Sequence, residues 1–249
     1  MLDFGFHNMN CMDGMKQFPD RYFDLAIVDP EYGRKEHGGK KRSKYVLQRN
    51  GSKIFVKDGN YENRHWDNSP PPKEYFDELM RVSKNQIIWG CNYYDYSFGS
   101  GRIIWDKCND GSDQSDAEIA YNSLTDRVDI FRFMWRGMFQ GKSIHEGWVQ
   151  QGNKALNEKR IHPTQKPVPL YEWLLEKYAK RGDKILDTHV GSASSLVACR
   201  NRGFKYVGFE IDAAYYNRAS KRLQIAEDQI SIFDYPEVIP DDMGYGYTE

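Results

Sequence analysis

The sequence predicts an α/β fold in which helices cover both faces of a mostly parallel sheet. In the last third of the chain, segments typical of helices alternate with short apolar strands, over residues 167–182, 184–187, 192–202, 206–209 and 213–225. Strands that are joined through helices at such short spacing pair in parallel. Another apolar run, at residues 24–28, is bounded by Asp29-Pro30 and Gly33, as expected for a buried strand that ends in a loop.

The remaining elements are predicted from local patterns. Prolines open a segment at residues 70–82 that places Tyr75, Phe76, Leu79 and Val82 on one helical face. Further strands are predicted at residues 86–90, 102–106, 117–121 and 128–135.

Length and composition exclude several classes of protein. The 249 residues, 39% of them hydrophobic, suit a single domain over residues 1–249 and exclude wholesale disorder and a coiled coil. No apolar run reaches the roughly 18 residues of a membrane helix, and the first residues lack the pattern of a signal peptide. The four cysteines lie far apart, so neither a disulfide framework nor a metal site is expected. We therefore expect a cytoplasmic protein without a membrane partner.

Charge is unevenly distributed along the chain. Residues 34–64 contain ten Lys or Arg against three acidic residues, interleaved with glycines and aromatic residues. Such a basic insert suits a polyanion whose bases can be stacked upon, although a solvated surface loop has the same pattern. Residues 227–249 contain seven acidic residues and no basic ones, which indicates a loosely ordered acidic tail. The candidate DNA-binding residues in the insert are Arg34, Lys35, Lys40, Lys41, Arg42 and Lys44.

A loop of small residues follows the predicted strand at 184–187. Small side chains around Gly191 let a ligand approach the backbone, and the following helix offers free N–H groups. Glu210 ends the next strand, where an acid is the expected partner of a ribose diol. A purely structural turn remains an alternative, because only one glycine is present. The absence of a lysine after that glycine argues against a Walker-type phosphate loop.

The turn Asp29-Pro30-Glu31-Tyr32 follows another buried strand. Because Pro30 fixes its own φ angle, the turn can direct a carboxylate, a carbonyl and an aromatic face toward one small volume. These three groups suit a planar base that carries an exocyclic amino group. An ordinary turn has the same letters, so the motif alone leaves both interpretations open.

Several segments together resemble one family. Asp29–Tyr32, read as DPEY, resembles the DPPY motif of the amino-group DNA methyltransferases, which use S-adenosylmethionine. Residues 162–195 resemble the family's HPTQKP run and its DPFxGSGTT cofactor loop, and residues 206–212 resemble the following strand. The resemblance covers most of residues 8–225. Because the catalytic motif precedes the cofactor loop, it implies the beta arrangement, a circularly permuted Rossmann-like fold for S-adenosylmethionine-dependent methyl transfer. It also implies a target-recognition region at about residues 136–161, assisted by the basic insert.

The resemblance implies roles for individual residues. Asp29 and the Pro30 carbonyl would accept hydrogen bonds from the N6 amino group of a flipped adenine, while Tyr32 stacks on its ring. An Asp-led motif favours N6-adenine in this family. The implied cofactor residues are Glu210 for the ribose, Asn10 for the adenine, Asp187, Gly191 and Ser192 around the methionine portion, and Thr164 and Lys166 for its carboxylate.

The chain departs from the family pattern at several positions. Glu31 replaces the second proline of the motif, and we expect its carboxylate to point away from DNA or to pair with Arg34 or Lys35. Ala193 replaces a glycine and is expected to have a conventional backbone conformation. The remaining replacements in the loop are Thr188, His189, Ser194 and Ser195 for Pro, Phe, Thr and Thr.

Several alternatives remain open from the sequence. The same fold could methylate the N4 of cytosine, or the chain could be a catalytically silent DNA-binding homologue. RNA or a protein glutamine would also present a suitable planar group, whereas the glycine-poor loop disfavours an NAD-dependent oxidoreductase. The resemblance implies double-stranded DNA as the partner, and it also admits a homodimer and a cognate restriction enzyme in a restriction-modification system.

Overall fold

The computed structural model describes residues 1–34, 44–47, 51–56, 69–110 and 115–228. The strands are β1 Gly5–Asn8, β2 Phe23–Val28, β3 Lys44–Leu47, β4 Lys53–Val56, β5 Ser83–Trp89, β6 Arg102–Asp106, β7 Ala117–Asn122, β8 Val128–Arg132, β9 Met134–Arg136, β10 Phe139–Gly141, β11 Lys184–Asp187 and β12 Lys205–Glu210. The helices are α1 Cys11–Met15, α2 Lys73–Val82, α3 Ile144–Gly152, α4 Val168–Tyr178, α5 Ser194–Asn201 and α6 Ala213–Asp228.

The main sheet has eight strands in the order β1-β12-β11-β2-β5-β7-β6-β8. The first five strands pair in parallel, and β7 runs antiparallel to both of its neighbours. The mostly parallel sheet of the predicted α/β fold is therefore confirmed. In particular, β2 and β11 are neighbours, which brings two loops to the same edge of the sheet. They are the turn Asp29–Tyr32, called the catalytic turn after its predicted role, and the loop at residues 188–193, called the cofactor loop after its predicted role.

Side chains of β2 alternate between two cores, as the period of a strand requires. Leu25 and Ile27 pack in the core that contains residues of α4 and α5. Ala26 and Val28 pack on the opposite face with residues of α1 and α2. Helices thus cover both faces of the sheet, and the apolar face predicted for residues 70–82 is buried as expected.

Two local predictions are wrong. The strand expected at residues 128–135 is interrupted at Phe133, whose carbonyl accepts a hydrogen bond from the indole of Trp105 at 3.0 Å. Ala193 does not have a conventional backbone, because it adopts a left-handed conformation with φ 63° and ψ 23° just before α5. That conformation costs a residue with a Cβ about 1–2 kcal/mol. The turn retains the shape that a glycine would give, and α5 begins at Ser194.

Parts of the charged segments can be placed. The basic insert contains the antiparallel hairpin of β3 and β4, and Lys44 is the first residue of β3. Lys35, Lys40, Lys41 and Arg42 lie outside the described residues. Helix α6 reaches Asp228, and the rest of the acidic tail also lies outside them. Within the described part of the chain, no helix is both long enough and apolar enough to span a membrane.

Candidate active site

The catalytic turn begins where β2 ends, and its carboxylate is held from two sides. Oδ1 of Asp29 accepts a hydrogen bond from the hydroxyl of Tyr32 at 2.7 Å. Oδ2 lies 2.5 Å from Nζ of Lys166, which comes from the segment before α4. The same ammonium group donates to the Tyr32 hydroxyl at 3.0 Å. Asp29 is therefore oriented by residues that are 3 and 137 positions away in the sequence.

A second carboxylate completes this cluster. Oε2 of Glu118, on β7, lies 2.9 Å from Nζ of Lys166, and its Oε1 lies 2.5 Å from Nζ of Lys107. Burial opposes the charge on Glu118, but the two ammonium groups outweigh it and lower its pKa to about 2. Burial likewise opposes the charge on Lys166, yet Asp29 and Glu118 raise its pKa. Burial raises the pKa of Asp29 itself, which favours a proton on that carboxylate more than on Glu118.

The other two groups of the turn are also in contact with protein. The carbonyl of Pro30 accepts a hydrogen bond from the hydroxyl of Tyr94 at 3.0 Å. The ring of Tyr32 stacks on that of Tyr93, with centroids 4.9 Å apart. A Cβ at Gly90 would lie 2.1 Å from the Tyr32 ring, so a glycine is needed there. One face of the Tyr32 ring is therefore covered by Tyr93 in this structure.

A cavity of about 370 Å³ joins the catalytic turn to the loop after β11. Asp29 and Glu31 line it on one side, and the cofactor loop and the end of β12 line it on the other. Six of the seven predicted cofactor residues line this cavity, namely Asn10, Thr164, Lys166, Gly191, Ser192 and Glu210. The volume lies within the range of roughly 300–1,000 Å³ that is typical of small-molecule sites.

The lining fits S-adenosylmethionine, the cofactor that the resemblance implies. Glu210 presents a carboxylate whose oxygens accept backbone N–H groups of Gly191 at 2.9 Å and Asp212 at 2.8 Å. Gly191 has φ 54°, and a Cβ there would lie 3.9 Å from the ring of His162, on the cavity side. Burial raises the pKa of Glu210. An acidic group beside a loop that has no Cβ at Gly191 suits a ribose diol and an extended methionine chain.

Two predicted cofactor residues bind other protein groups in the structure. Lys166 lines the cavity, and its ammonium group binds Asp29 and Glu118 in this structure, so its role on the cofactor's carboxylate stays a prediction. Asp187 is buried and turned into its own loop, where it accepts hydrogen bonds from Ser195 and from the backbone of His189. Its burial raises its pKa to about 6, against the effect of these donors. Asp187 therefore shapes the loop and does not line the cavity.

Other cavity residues have structural partners. Oδ1 of Asn10 accepts a hydrogen bond from the backbone of Met12 at 2.8 Å and so caps α1. His162 packs on the ring of Tyr215 at 4.4 Å. Burial, together with the charge of Lys166, lowers the pKa of His162 to about 3, so this imidazole is neutral at physiological pH.

Glu31 does not pair with Arg34, one of the two cations expected from the sequence, and the other, Lys35, lies outside the described residues. Its Oε2 lies 3.3 Å from Nε2 of His189, in the cofactor loop. Arg34 instead donates to the hydroxyl of Tyr93 at 2.9 Å and lies over its ring. The expectation of a pair with Arg34 is therefore wrong, because the nearer partner comes from the neighbouring strand's loop.

The predicted recognition region contains the β9–β10 hairpin and α3. The C-terminal end of this region, at Glu158, is linked to the cofactor loop through Arg222 of α6. Arg222 pairs with Glu158 and donates to the backbone carbonyl of Ser192 at 2.7 Å. Glu158 also accepts the backbone N–H of Val168 at 3.0 Å. On the outer side of this region, Ile144, Trp148 and Val149 are largely exposed.

Sequence reasoning missed several residues of the site. Glu118 is the clearest case, because a charged residue within an apolar strand segment, between Ala117 and Ile119, is a signal for a partnered or functional carboxylate. Lys107 and Tyr94 follow other strands and gave no such signal. The contact between Glu31 and His189 joins two positions that the sequence marks only as separate departures from the family pattern.

Comparison with known proteins agrees with this geometry. A family model described as DNA methylase, of the N6/N4 methyltransferase type, matches residues 40–221, which is more than half of the chain. The chain belongs to this DNA methylase family. The Type II methyltransferase M2.DpnII of Streptococcus pneumoniae is 30% identical over 150 residues, which make up 56% of this chain and 50% of that enzyme. The matched part thus spans about half the length of this curated relative.

Two solved structures share the fold. The M1.HpyAVI complex with S-adenosylmethionine has a TM-score of 0.50 at 16% identity and covers 87% of this chain and 98% of its own. The cytosine-N4-specific PvuII DNA methyltransferase has a TM-score of 0.51 at 12% identity and covers 90% of each chain. The predicted Rossmann-like methyltransferase fold and the family resemblance are confirmed. Enzymes of this family and fold use S-adenosylmethionine as the methyl donor.

Proposed function

We propose that this protein transfers a methyl group from S-adenosylmethionine to the N6 amino group of adenine in double-stranded DNA. The observation that carries the proposal is the position of Asp29. Its carboxylate stands at the end of β2, in the wall of a cofactor-sized cavity, and is oriented by Lys166 and Tyr32. A carboxylate held in this way can accept hydrogen bonds from an exocyclic amino group next to the methyl donor.

The cavity residues support S-adenosylmethionine as the cofactor. When bound, it supplies a methyl group on a positively charged sulfur. Glu210 would bind the ribose diol, and Gly191, Ser192 and Thr164 would surround the methionine portion.

The catalytic turn must rearrange when a base enters. In the free protein, the Tyr32 hydroxyl occupies Oδ1 of Asp29, and Tyr93 covers part of the Tyr32 ring. A flipped adenine would replace both contacts, because its amino group donates to Oδ1 and its ring stacks on Tyr32. The Pro30 carbonyl keeps one lone pair beyond the hydrogen bond from Tyr94 and can accept the second amino proton. Throughout, Lys166 continues to hold Oδ2.

The same carboxylate can receive the proton that the amino nitrogen must lose. After methyl transfer the nitrogen carries an excess proton, and Oδ1 of Asp29 is already hydrogen-bonded to it. The raised pKa of Asp29, which results from burial, makes this carboxylate the better acceptor than Glu118. Preorganised charges of this kind supply much of the rate in enzymes without a covalent intermediate.

The basic insert and the region at residues 136–161 are the proposed DNA contacts. Arg34 is an exposed cation directly after the catalytic turn, and exposed apolar side chains on α3 suit contact with unstacked bases. Lys35, Lys40, Lys41, Arg42 and Lys44 are proposed to bind phosphates. A homodimer, a cognate restriction enzyme and a cytoplasmic location stay predictions from the resemblance.

Methylation of cytosine N4 is the second candidate. The fold is shared with the cytosine-N4-specific PvuII enzyme, and both bases present an exocyclic amino group to the same two acceptors. The Asp-led motif favours adenine by resemblance.

The test is transfer of radiolabelled methyl from S-adenosylmethionine to unmethylated duplex DNA, followed by nucleoside analysis. Asp29→Asn is the matched control, because it keeps the shape of the side chain and removes the charge. We expect label in N6-methyladenine and a loss of at least 100-fold in the variant. Label in N4-methylcytosine would replace the proposed base, and absence of label despite cofactor and DNA binding would overturn the catalytic function.

A further inference from the structure

The ion pair between Glu31 and His189 joins the catalytic turn to the cofactor loop. The proposed reaction requires these two loops to keep a fixed position relative to each other. Glu31 lies in the catalytic turn after β2, two residues from Asp29. His189 lies in the loop after β11, two residues before Gly191. Their side chains are 28% and 21% exposed, and Oε2 and Nε2 are 3.3 Å apart. This pair is a direct side-chain link between the two walls of the cavity.

The imidazole is held on both of its nitrogens. Nδ1 of His189 lies 2.9 Å from the hydroxyl of Thr188, and that hydroxyl lies 2.6 Å from the hydroxyl of Tyr75 on α2. The Tyr75 ring also packs edge-on against the imidazole, with centroids 5.3 Å apart. When the imidazole is protonated, Nε2–H is directed to Glu31 and Nδ1–H to Thr188. This arrangement fixes the ring and therefore the direction of the ion pair.

The charges are mutually dependent. Burial opposes the charge on the imidazole, but Glu31 and Cys11 together outweigh it and hold the pKa of His189 well above its ordinary value. Burial also opposes the charge on Glu31, and His189 outweighs it and lowers the pKa of that carboxyl. Either residue alone would leave a largely buried charge without its partner, which is costly. The family pattern has proline and phenylalanine at these two positions, and here both are replaced together.

We propose that Glu31 and His189 are positioning residues, whose ion pair fixes the catalytic turn onto the cofactor loop in place of a proline and an aromatic ring. The inference rests on the proposed function as far as it concerns methyl transfer. The link between the two loops is a property of the folded protein and does not depend on which reaction the protein catalyses. On this proposal Glu31 performs the positioning role of the proline that it replaces. Its presence is then no longer an argument that the protein is a catalytically silent homologue.

The test is a double-mutant cycle with Glu31→Pro, His189→Phe and the two combined. A second cycle with Glu31→Gln and His189→Gln covers the case in which proline prevents folding. Denaturant unfolding of the protein without cofactor gives the coupling. We expect each single variant to lower the folding constant, and the double variant to be at least tenfold (about 1.4 kcal/mol) more stable than additivity predicts.

Kinetics then separate a positioning role from a merely structural one. Each single variant should lower kcat by about tenfold or more at saturating cofactor, while the double variant recovers most of it. The groups that face the imidazole are Glu31, Cys11, Tyr75, Asp187 and Glu210. The wild-type rate should fall as pH rises through the raised pKa of His189, and this fall should be absent from the double variant.

Additive stability effects in both cycles would overturn the inference, as would single variants that unfold more easily but keep their kcat and pH profile. Absence of methyl transfer by the wild-type protein would instead count against the proposed function. In that case the unfolding cycles and calorimetric titration with S-adenosylmethionine still decide whether the pair links the two loops.

Discussion

Nζ of Lys166 lies 2.5 Å from Oδ2 of Asp29 and 2.9 Å from Oε2 of Glu118. This lysine precedes α4 and was expected to bind the cofactor's carboxylate. In the structure its ammonium group is the counter-ion of Asp29, with only 3% of the side chain exposed. Together with Lys107 it balances the charges of the two carboxylates, while Oδ1 of Asp29 accepts its hydrogen bond from the Tyr32 hydroxyl.

Replacement of Lys166 by methionine should destabilise the protein and abolish activity. The change leaves two close carboxylates with one cation fewer, and breaking a buried ion pair typically costs about 3–5 kcal/mol. We expect a value near the lower end, because both carboxylates keep some contact with water. Urea unfolding measures the change. In the combined Lys166→Met/Glu118→Gln variant, stability should recover by about 1 kcal/mol, since one repelling charge is removed; a further loss would contradict this charge balance.

Replacement of Gly90 by alanine should damage the site and also lower the stability of the protein, by about 1–2 kcal/mol for the left-handed backbone alone. Gly90 has φ 71°, and a Cβ would lie 2.1 Å from the ring of Tyr32. The ring must therefore move from its place beside Asp29, and we expect methyl transfer to fall by about 100-fold. Gly99→Ala is the matched control, because a Cβ there would make an ordinary contact of 3.5 Å with Tyr121. Equal activity of the two variants would show that the position of Tyr32 is unimportant.

The pH dependence of the free energy of unfolding should reveal the raised pKa of Asp187. Its pKa is raised to about 6 by burial, from an ordinary value of 3.8. The native state therefore binds this proton more tightly than the unfolded state, so its contribution to stability is present at low pH and is lost as pH rises from about 4 to 6. The total is on the order of 3 kcal/mol. Asp187→Asn should remove this decline, measured as the difference between the two unfolding curves across pH. An unchanged slope would show that Asp187 ionises normally.

The exposed face of α3 should contribute to DNA affinity. Trp148 is 66% exposed in the predicted recognition region, where an aromatic side chain can stack on a base. We expect Trp148→Ala to weaken binding of cognate duplex DNA by about tenfold, consistent with roughly 1–3 kcal/mol per stacked base. Binding of S-adenosylmethionine should be unchanged. Ile130→Ala on the edge strand β8 is the control, since Ile130 is also exposed but lies outside the proposed interface. Equal DNA affinity of both variants would remove α3 from that interface.

Much of the fold was predictable because its strands and helices carry strong local patterns. The strands β6 and β11 have the predicted limits, and α2 buries the predicted face. The conformation of Ala193 was not predictable, because a residue with a Cβ rarely adopts a left-handed backbone. The break at Phe133 likewise depends on a hydrogen bond to Trp105, 28 residues away in the sequence.

The family, the order of the motifs and the identities of the groups at the carboxyl ends of the strands can all be read from the amino-acid sequence. Local patterns suffice for this, because a turn after a buried strand and a loop before a helix are encoded by neighbouring residues. The tertiary structure decided which charged side chains meet. Lys166 reaches Asp29, and His189 reaches Glu31, only because β11 and β2 are neighbours and β7 places Glu118 beside them. Ion pairs between distant segments depend on strand order and burial, which the spacing of residues along the chain does not specify.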